Sequence, residues 1–225
     1  MSISLARLLV PTPLRALARR ALLVEPTFVI VGSGRSGTRF IARVLTAGGI
    51  RTGHEGWWTP TGRRQVRLHG DASWCAAFEL NAYAGRVFHQ IREPLATMRS
   101  LAALDVSPHQ RDSPWYASRT RHVTFTGDPV VDALSTADRW LVQSERVAEW
   151  TWRLEDVDAD LVAEIGRRLG RRVNRGRVEA ALSSADRNRK LDRIREVYTF
   201  GWDDLPDGHA KDRVRRIAER YRYEC

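Results

Sequence analysis

Phe28-Val29-Ile30-Val31-Gly32-Ser33-Gly34-Arg35-Ser36-Gly37-Thr38-Arg39-Phe40 is the stretch that decides the fold. Its first four residues are an apolar run that reads as a buried strand. Phe40, Ile41, Val44 and Leu45 then recur at helical spacing. A strand, a glycine-rich turn and a helix N-terminus together form a phosphate cradle. The glycines let backbone N–H groups approach an anion closely, and the helix dipole favours negative charge there. A nucleotide-hydrolysing P-loop reads G-x-x-x-x-G-K-[ST], its last residues gripping phosphates and magnesium. Gly32 and Gly37 have that spacing, but Thr38 and Arg39 stand where the lysine and hydroxyl residue belong. The cation lies inside the turn, at Arg35. The turn therefore suits a phosphate-bearing donor held without a Walker lysine.

Working outward, the helix after the turn should run from about Thr38 to Ala47 and stop at Gly48-Gly49. Residues 50–53 are short enough for a second strand. Asp71 starts a helical pattern with Trp74, Phe78 and Leu80. Residues 86–91 read as a strand, and Pro94 suits the first turn of a helix reaching about Leu104. Residues 105–128 are rich in Pro, Ser, Asp and Gly and read as a long surface loop. Ala137, Trp140, Leu141, Ser144, Val147 and Ala148 share one face of a long helix. A short strand at 151–154, a helix through Leu161, Val162, Ile165 and Leu169, a loop over 183–208 and a basic terminal helix complete the pattern. Strands alternating with helices predict an α/β, three-layer fold with a mostly parallel central sheet. Ligands then sit beyond the carboxyl ends of the strands, where the glycine turn and Arg92 would both lie.

The 225 residues fit a single domain over 26–225, preceded by a basic extension over 1–25. A hydrophobic fraction of 43% with eight tryptophans argues against disorder. Cys75 and Cys225 cannot make a disulfide framework, so a reducing, cytoplasmic setting is expected. The +10 charge is almost all arginine, since Lys190 and Lys211 are the only lysines. That bias fits genomic base composition as well as a polyanionic partner, and nucleic acid is not the expected one. The first 24 residues carry Arg7, Arg15, Arg19 and Arg20 and no acid, with Pro11 and Pro13 breaking the apolar runs. They predict a loose extension with, at most, a weak membrane-surface contact. No apolar core followed by a small-residue cleavage site predicts a signal peptide there, and the sequence offers no HExxH or paired-Cys metal spacing.

Three further segments combine with the turn. His89-Gln90-Ile91-Arg92-Glu93-Pro94 leads a strand into an arginine and then a helix carrying Ser100. Gly53-His54-Glu55 follows the first helix, and Asp71-Ala72-Ser73-Trp74 follows that. Together they resemble the sulfotransferases that use 3′-phosphoadenosine 5′-phosphosulfate (PAPS), above all bacterial members with a G-x-G-R-S-G-T turn and a following G-H-E. The resemblance covers residues 27–105 well. It continues weakly through Trp140 and Arg153-Leu154-Glu155-Asp156, which is similar to that family's R-Y-E-D segment.

The resemblance implies the donor site. Ser33, Gly34, Arg35, Ser36, Gly37, Thr38 and Arg39 would hold the 5′-phosphosulfate, Arg35 standing in for the turn's usual lysine and stabilising charge on the leaving oxygen. Arg39 departs from the family's commoner threonine. Arg92 and Ser100 match the pair that holds the 3′-phosphate, a forked guanidinium beside a hydroxyl donor. The family's later R-K-G contact is not plainly present, and Arg187-Asn188-Arg189-Lys190 lacks its glycine. Sulfuryl transfer also needs a base for the acceptor hydroxyl. Glu55 is favoured, with His54 second. Trp57 and Trp58 would stack on a sugar as exposed loop residues, and Ser73 and Trp74 would line the acceptor side. The expected reaction moves a sulfuryl group from PAPS to a hydroxylated small molecule, carbohydrate or glycolipid, leaving adenosine 3′,5′-bisphosphate (PAP), with no metal. The competing readings are a P-loop kinase or NTPase and a non-catalytic nucleotide- or nucleic-acid-binding protein. Against the former stand the missing lysine after Gly37 and the lack of an acid ending Val87-Phe88-His89-Gln90.

Overall fold

The computed structural model describes residues 24–59, 61, 64–65, 67–105, 113–184 and 198–225. Nearly all of the basic extension and the Arg187–Lys190 segment lie outside the described residues. Five strands form one sheet in the order β2-β3-β1-β4-β5, and every neighbouring pair is parallel. They are β1 (Phe28–Val31), β2 (Thr52–His54), β3 (Gly70–Ala72), β4 (Arg86–Ile91) and β5 (Trp150–Arg153). The helices are α1 (Thr38–Ala47), α2 (Pro94–Asp105), α3 (Pro114–Thr120), α4 (Pro129–Val147), α5 (Ala159–Arg168), α6 (Arg175–Ser184) and α7 (His209–Arg220).

β1 lies at the centre of the sheet, and all four of its side chains are fully buried. Its alternation sorts the two faces. Phe28 and Ile30 point into a core with Ile41 and Leu45 of α1, Val162 and Ile165 of α5, and Val178 of α6. Val29 and Val31 point to the opposite face, into an aromatic core with Trp57, Trp58, Trp74 and Trp140. α2, α4 and α7 build a third cluster with Ile91. Helices therefore cover both faces, and the fold is the expected three-layer α/β arrangement with a wholly parallel sheet. Such sheets are covered on both sides, which is why β1 reads as continuous apolar sequence.

α4 and α5 open with capping carboxylates. Asp128 accepts from Val130 and Val131 N–H, with Pro129 in the first helical position, and Asp158 accepts from Leu161 N–H. α1 differs. Its N-cap is Gly37, which offers no side-chain cap, and its first turn holds no acid.

Three expectations need correction. Asp71 does not begin a helix: Gly70–Ala72 is the β3 strand, held between β1 and β2, and Cys75–Phe78 is a single 3₁₀ turn. The 105–128 segment is not all loop, since Pro114–Thr120 forms α3, capped by Ser113. α6 has no counterpart in the sequence reading. Among the described residues no helix is long and apolar enough to cross a membrane.

Candidate active site

The glycine turn is held from both sides. Arg35 and Gly37 take left-handed backbone angles, φ 73° and 87°, and Ser36 N–H closes onto the Ser33 carbonyl at 3.0 Å. Gln90, buried at the end of β4, donates its amide to the Ser36 carbonyl at 2.8 Å and accepts from the Trp152 indole at 3.2 Å. A Cβ on Gly32 would lie 2.5 Å from Ser36 Oγ and 2.6 Å from the Gln90 carbonyl, so only glycine allows this closure. Ser36 Oγ is buried without a hydrogen-bond partner. The uncapped first turn of α1 fits an anion seated on the turn. Ser33 is buried and bonds back to the Gly34 carbonyl at 3.3 Å, a structural role.

The turn meets the Arg92–Ser100 pair directly. Arg35 Nε donates to Ser100 Oγ at 3.0 Å across 65 residues of chain. Arg92 Nη1 donates to the Arg35 carbonyl at 3.1 Å. Arg92 and Ser100 are both buried, at 7% and 6% exposure. Burial lowers the Arg35 pKa, against the opposing pull of the Glu55 carboxylate.

A second chain of contacts leads to the acid and the histidine. Thr38 Oγ1 lies 3.3 Å from His54 Nε2, and His54 Nδ1 lies 3.7 Å from Glu55 Oε2. Glu55 adopts φ 54°, a left-handed angle uncommon outside glycine, and its N–H bonds the Ala72 carbonyl at 3.1 Å. Burial pushes the Glu55 pKa up to about 7, helped by the Asp71 charge, while a hydrogen bond from the Trp74 side chain and the Arg35 charge pull it down. Burial pushes His54 down to about 4, with Arg39 adding to the effect. The two neighbours thus exchange their usual order of protonation.

Asp71 organises this side. Its fully buried carboxylate accepts from Gly56, Trp57 and Trp58 N–H at 2.9, 2.9 and 3.1 Å. Those bonds wrap the 56–58 turn inward. Trp57 and Trp58 are consequently core residues, 6% and 5% exposed, and not the open stacking platform expected of them. Ser73, fully buried, is tied to the Trp58 carbonyl at 2.8 Å. Trp74 belongs to the same core, its carbonyl receiving the Trp140 indole at 2.8 Å, while its side chain reaches Glu55. Behind Arg92, Glu155 accepts from Glu93 N–H at 3.1 Å and from the Tyr223 hydroxyl at 2.6 Å. Gln90, Asp71, Glu155 and Tyr223 were not singled out as site residues. The available signal was a buried polar residue inside or beside an apolar strand.

Among the described residues no group of three His, Cys, Asp or Glu side chains is placed to hold a metal ion. No family model matches the chain, and no curated protein matches it.

Proposed function

We propose that the protein is a PAPS-dependent sulfotransferase acting on a hydroxyl acceptor. The observation that carries this reading is the convergence of the glycine turn with Arg92 and Ser100, through the Arg35–Ser100 and Arg92–Arg35 hydrogen bonds. One donor bearing phosphate at both ends would use all of these groups, whereas a simple nucleoside diphosphate leaves Arg92 and Ser100 without a ligand role. PAPS, when bound, supplies an activated sulfuryl group on a phosphate leaving group and carries a 3′-phosphate at its far end.

The chain's own groups then divide the work. Backbone amides of Gly37 and Thr38 hold the 5′ end, the Ser36 amide being used to close the turn, and Arg35 neutralises charge there. Arg92 and Ser100 grip the 3′-phosphate by fork and hydroxyl. Glu55 takes the acceptor's proton on its carboxylate, and a pKa near 7 suits a base working at neutral pH. His54, neutral above about pH 4, orients Thr38 and Glu55.

A thermal-shift comparison of PAP, ADP and magnesium–ATP tests the assignment. PAP should give the largest rise in Tm, since a ligand at 100 Kd stabilises by about 2.7 kcal/mol. Equal stabilisation by ADP removes the ground for a 3′-phosphate site, and a rise confined to magnesium–ATP turns the reading into a kinase or NTPase.

A further inference from the structure

A groove of about 590 Å³ runs along the outer face of α1, beside the edge strand β2 and the end of α6. Its size lies within the ~300–1,000 Å³ of small-ligand sites. His54 stands in its wall, so the groove adjoins the candidate acid–histidine pair. Phe40, Ala47 and Ala181 give it apolar surface, and Thr46 and Thr52 add hydroxyls. Its charges are one-sided. Arg39 and Arg43 both line it, and among the described residues none that lines it is Asp or Glu.

Those two arginines are costly where they stand. They occupy positions i and i+4 of one helix, where like charges repel. Arg39 lies in the first turn of α1, whose dipole already places positive charge there, and no acidic residue occupies that turn. Both side chains are exposed, and neither has a hydrogen-bond or ion-pair partner among the described residues. Some exposed arginines do find carboxylates, as Arg213 with Asp138, Arg220 with Glu145 and Arg175 with Asp160, at 2.6–2.9 Å; what sets Arg39 and Arg43 apart is that they face one groove together. A ligand anion in the groove would relieve this uncompensated charge.

We propose that this groove is the acceptor subsite, and that it selects a hydroxylated acceptor carrying its own anionic group, a carboxylate or a phosphate, held by Arg39 and Arg43, so that Arg39 serves the acceptor and not the donor phosphosulfate to which the sequence assigned it. The proposal rests on the sulfotransferase reading for the word acceptor, but the anion preference of the groove stands or falls by itself. The ligand's hydroxyl would lie toward His54 and Glu55, with its charge further along α1. The ring of a sugar would cover the apolar wall.

The test is calorimetric titration of the full-length protein with glucose, glucuronate and glucose 6-phosphate, first with PAP saturating and then without it. PAP keeps the phosphate sugar away from the glycine turn. Both anionic sugars should bind more than about tenfold tighter than glucose, and the preferred one identifies carboxylate or phosphate as the anion. Arg43→Gln, at an exposed position outside the donor site, should remove that advantage while leaving glucose binding and PAP affinity unchanged. Equal binding of the three sugars, or an anion advantage that survives Arg43→Gln, overturns the proposal. Failure of PAP itself to bind instead overturns the sulfotransferase reading, and the titrations without PAP still decide the groove.

Discussion

Glu55 and His54 are adjacent in sequence and share a contact, yet their surroundings drive them in opposite directions. Each is penalised for carrying charge: Glu55 holds its proton up to about pH 7, and His54 sheds its own by about pH 4. A base must be unprotonated, so the two candidates give different pH profiles. If Glu55 is the base, kcat/KM should rise through about pH 7 and fall about tenfold per unit below it. If His54 is the base, the acid limb lies near pH 4 and activity at pH 5 is nearly full. The account predicts the first profile. Glu55→Gln should lower turnover by roughly 10²–10⁴-fold and leave PAP affinity nearly unchanged. A Glu55→Gln enzyme of normal turnover, with His54→Ala inactive, would exchange the two roles.

At the scale of elements, the β1–turn–α1 unit is the most consequential piece. Gly37 combines φ 87° with a close approach to Leu154, whose methyls would stand 2.8 Å from an added Cβ. Gly37→Ala should therefore strain the turn by about 1–2 kcal/mol. The larger effect should be on function: misplacing the cradle by about 1 Å is expected to cost transfer roughly 10²-fold, with weaker PAP binding by calorimetry. The same unit lacks a Walker lysine, so transfer should continue in EDTA, whereas a kinase or NTPase needs magnesium to neutralise its phosphates. Activity lost in EDTA and restored by magnesium would contradict the reading of the turn.

β1 and α1 were legible because each carries a clear signal: a continuous apolar run, and a 3.6-residue stripe ended by Gly48-Gly49. Other elements were not, for physical reasons. β3 has only Gly70, Asp71 and Ala72, too few residues to display a period, and its burial comes from strands on both sides. The Trp74–Phe78 spacing that mimicked a helix belongs to one 3₁₀ turn. α6 buries Val178 alone among its residues, so no stripe marks it. Trp57 and Trp58 were read as exposed because nothing local to them reveals the three amide bonds to Asp71 that turn them inward. Arg35, Arg92 and Ser100 were legible as separate residues, but their direct contact follows from the order of the strands.

For the whole molecule, the strand order is what assembles the site. β1 and β4 are neighbours, so the turn after one and Arg92 after the other open at the same edge of the sheet. β2 lies two strands away on the other side, and it brings His54 and Glu55 to that edge as well. The sulfotransferase proposal requires this convergence to recognise a 3′-phosphate. Calorimetric titration of wild type and Arg92→Ala with PAP and AMP isolates it, because the two ligands differ only in that phosphate. Wild type should prefer PAP strongly, and Arg92→Ala should lose about 2–5 kcal/mol of PAP binding, as truncation of a buried charged partner does, with little change for AMP. Equal binding of PAP and AMP by wild type, or a PAP preference that survives Arg92→Ala, would contradict the account.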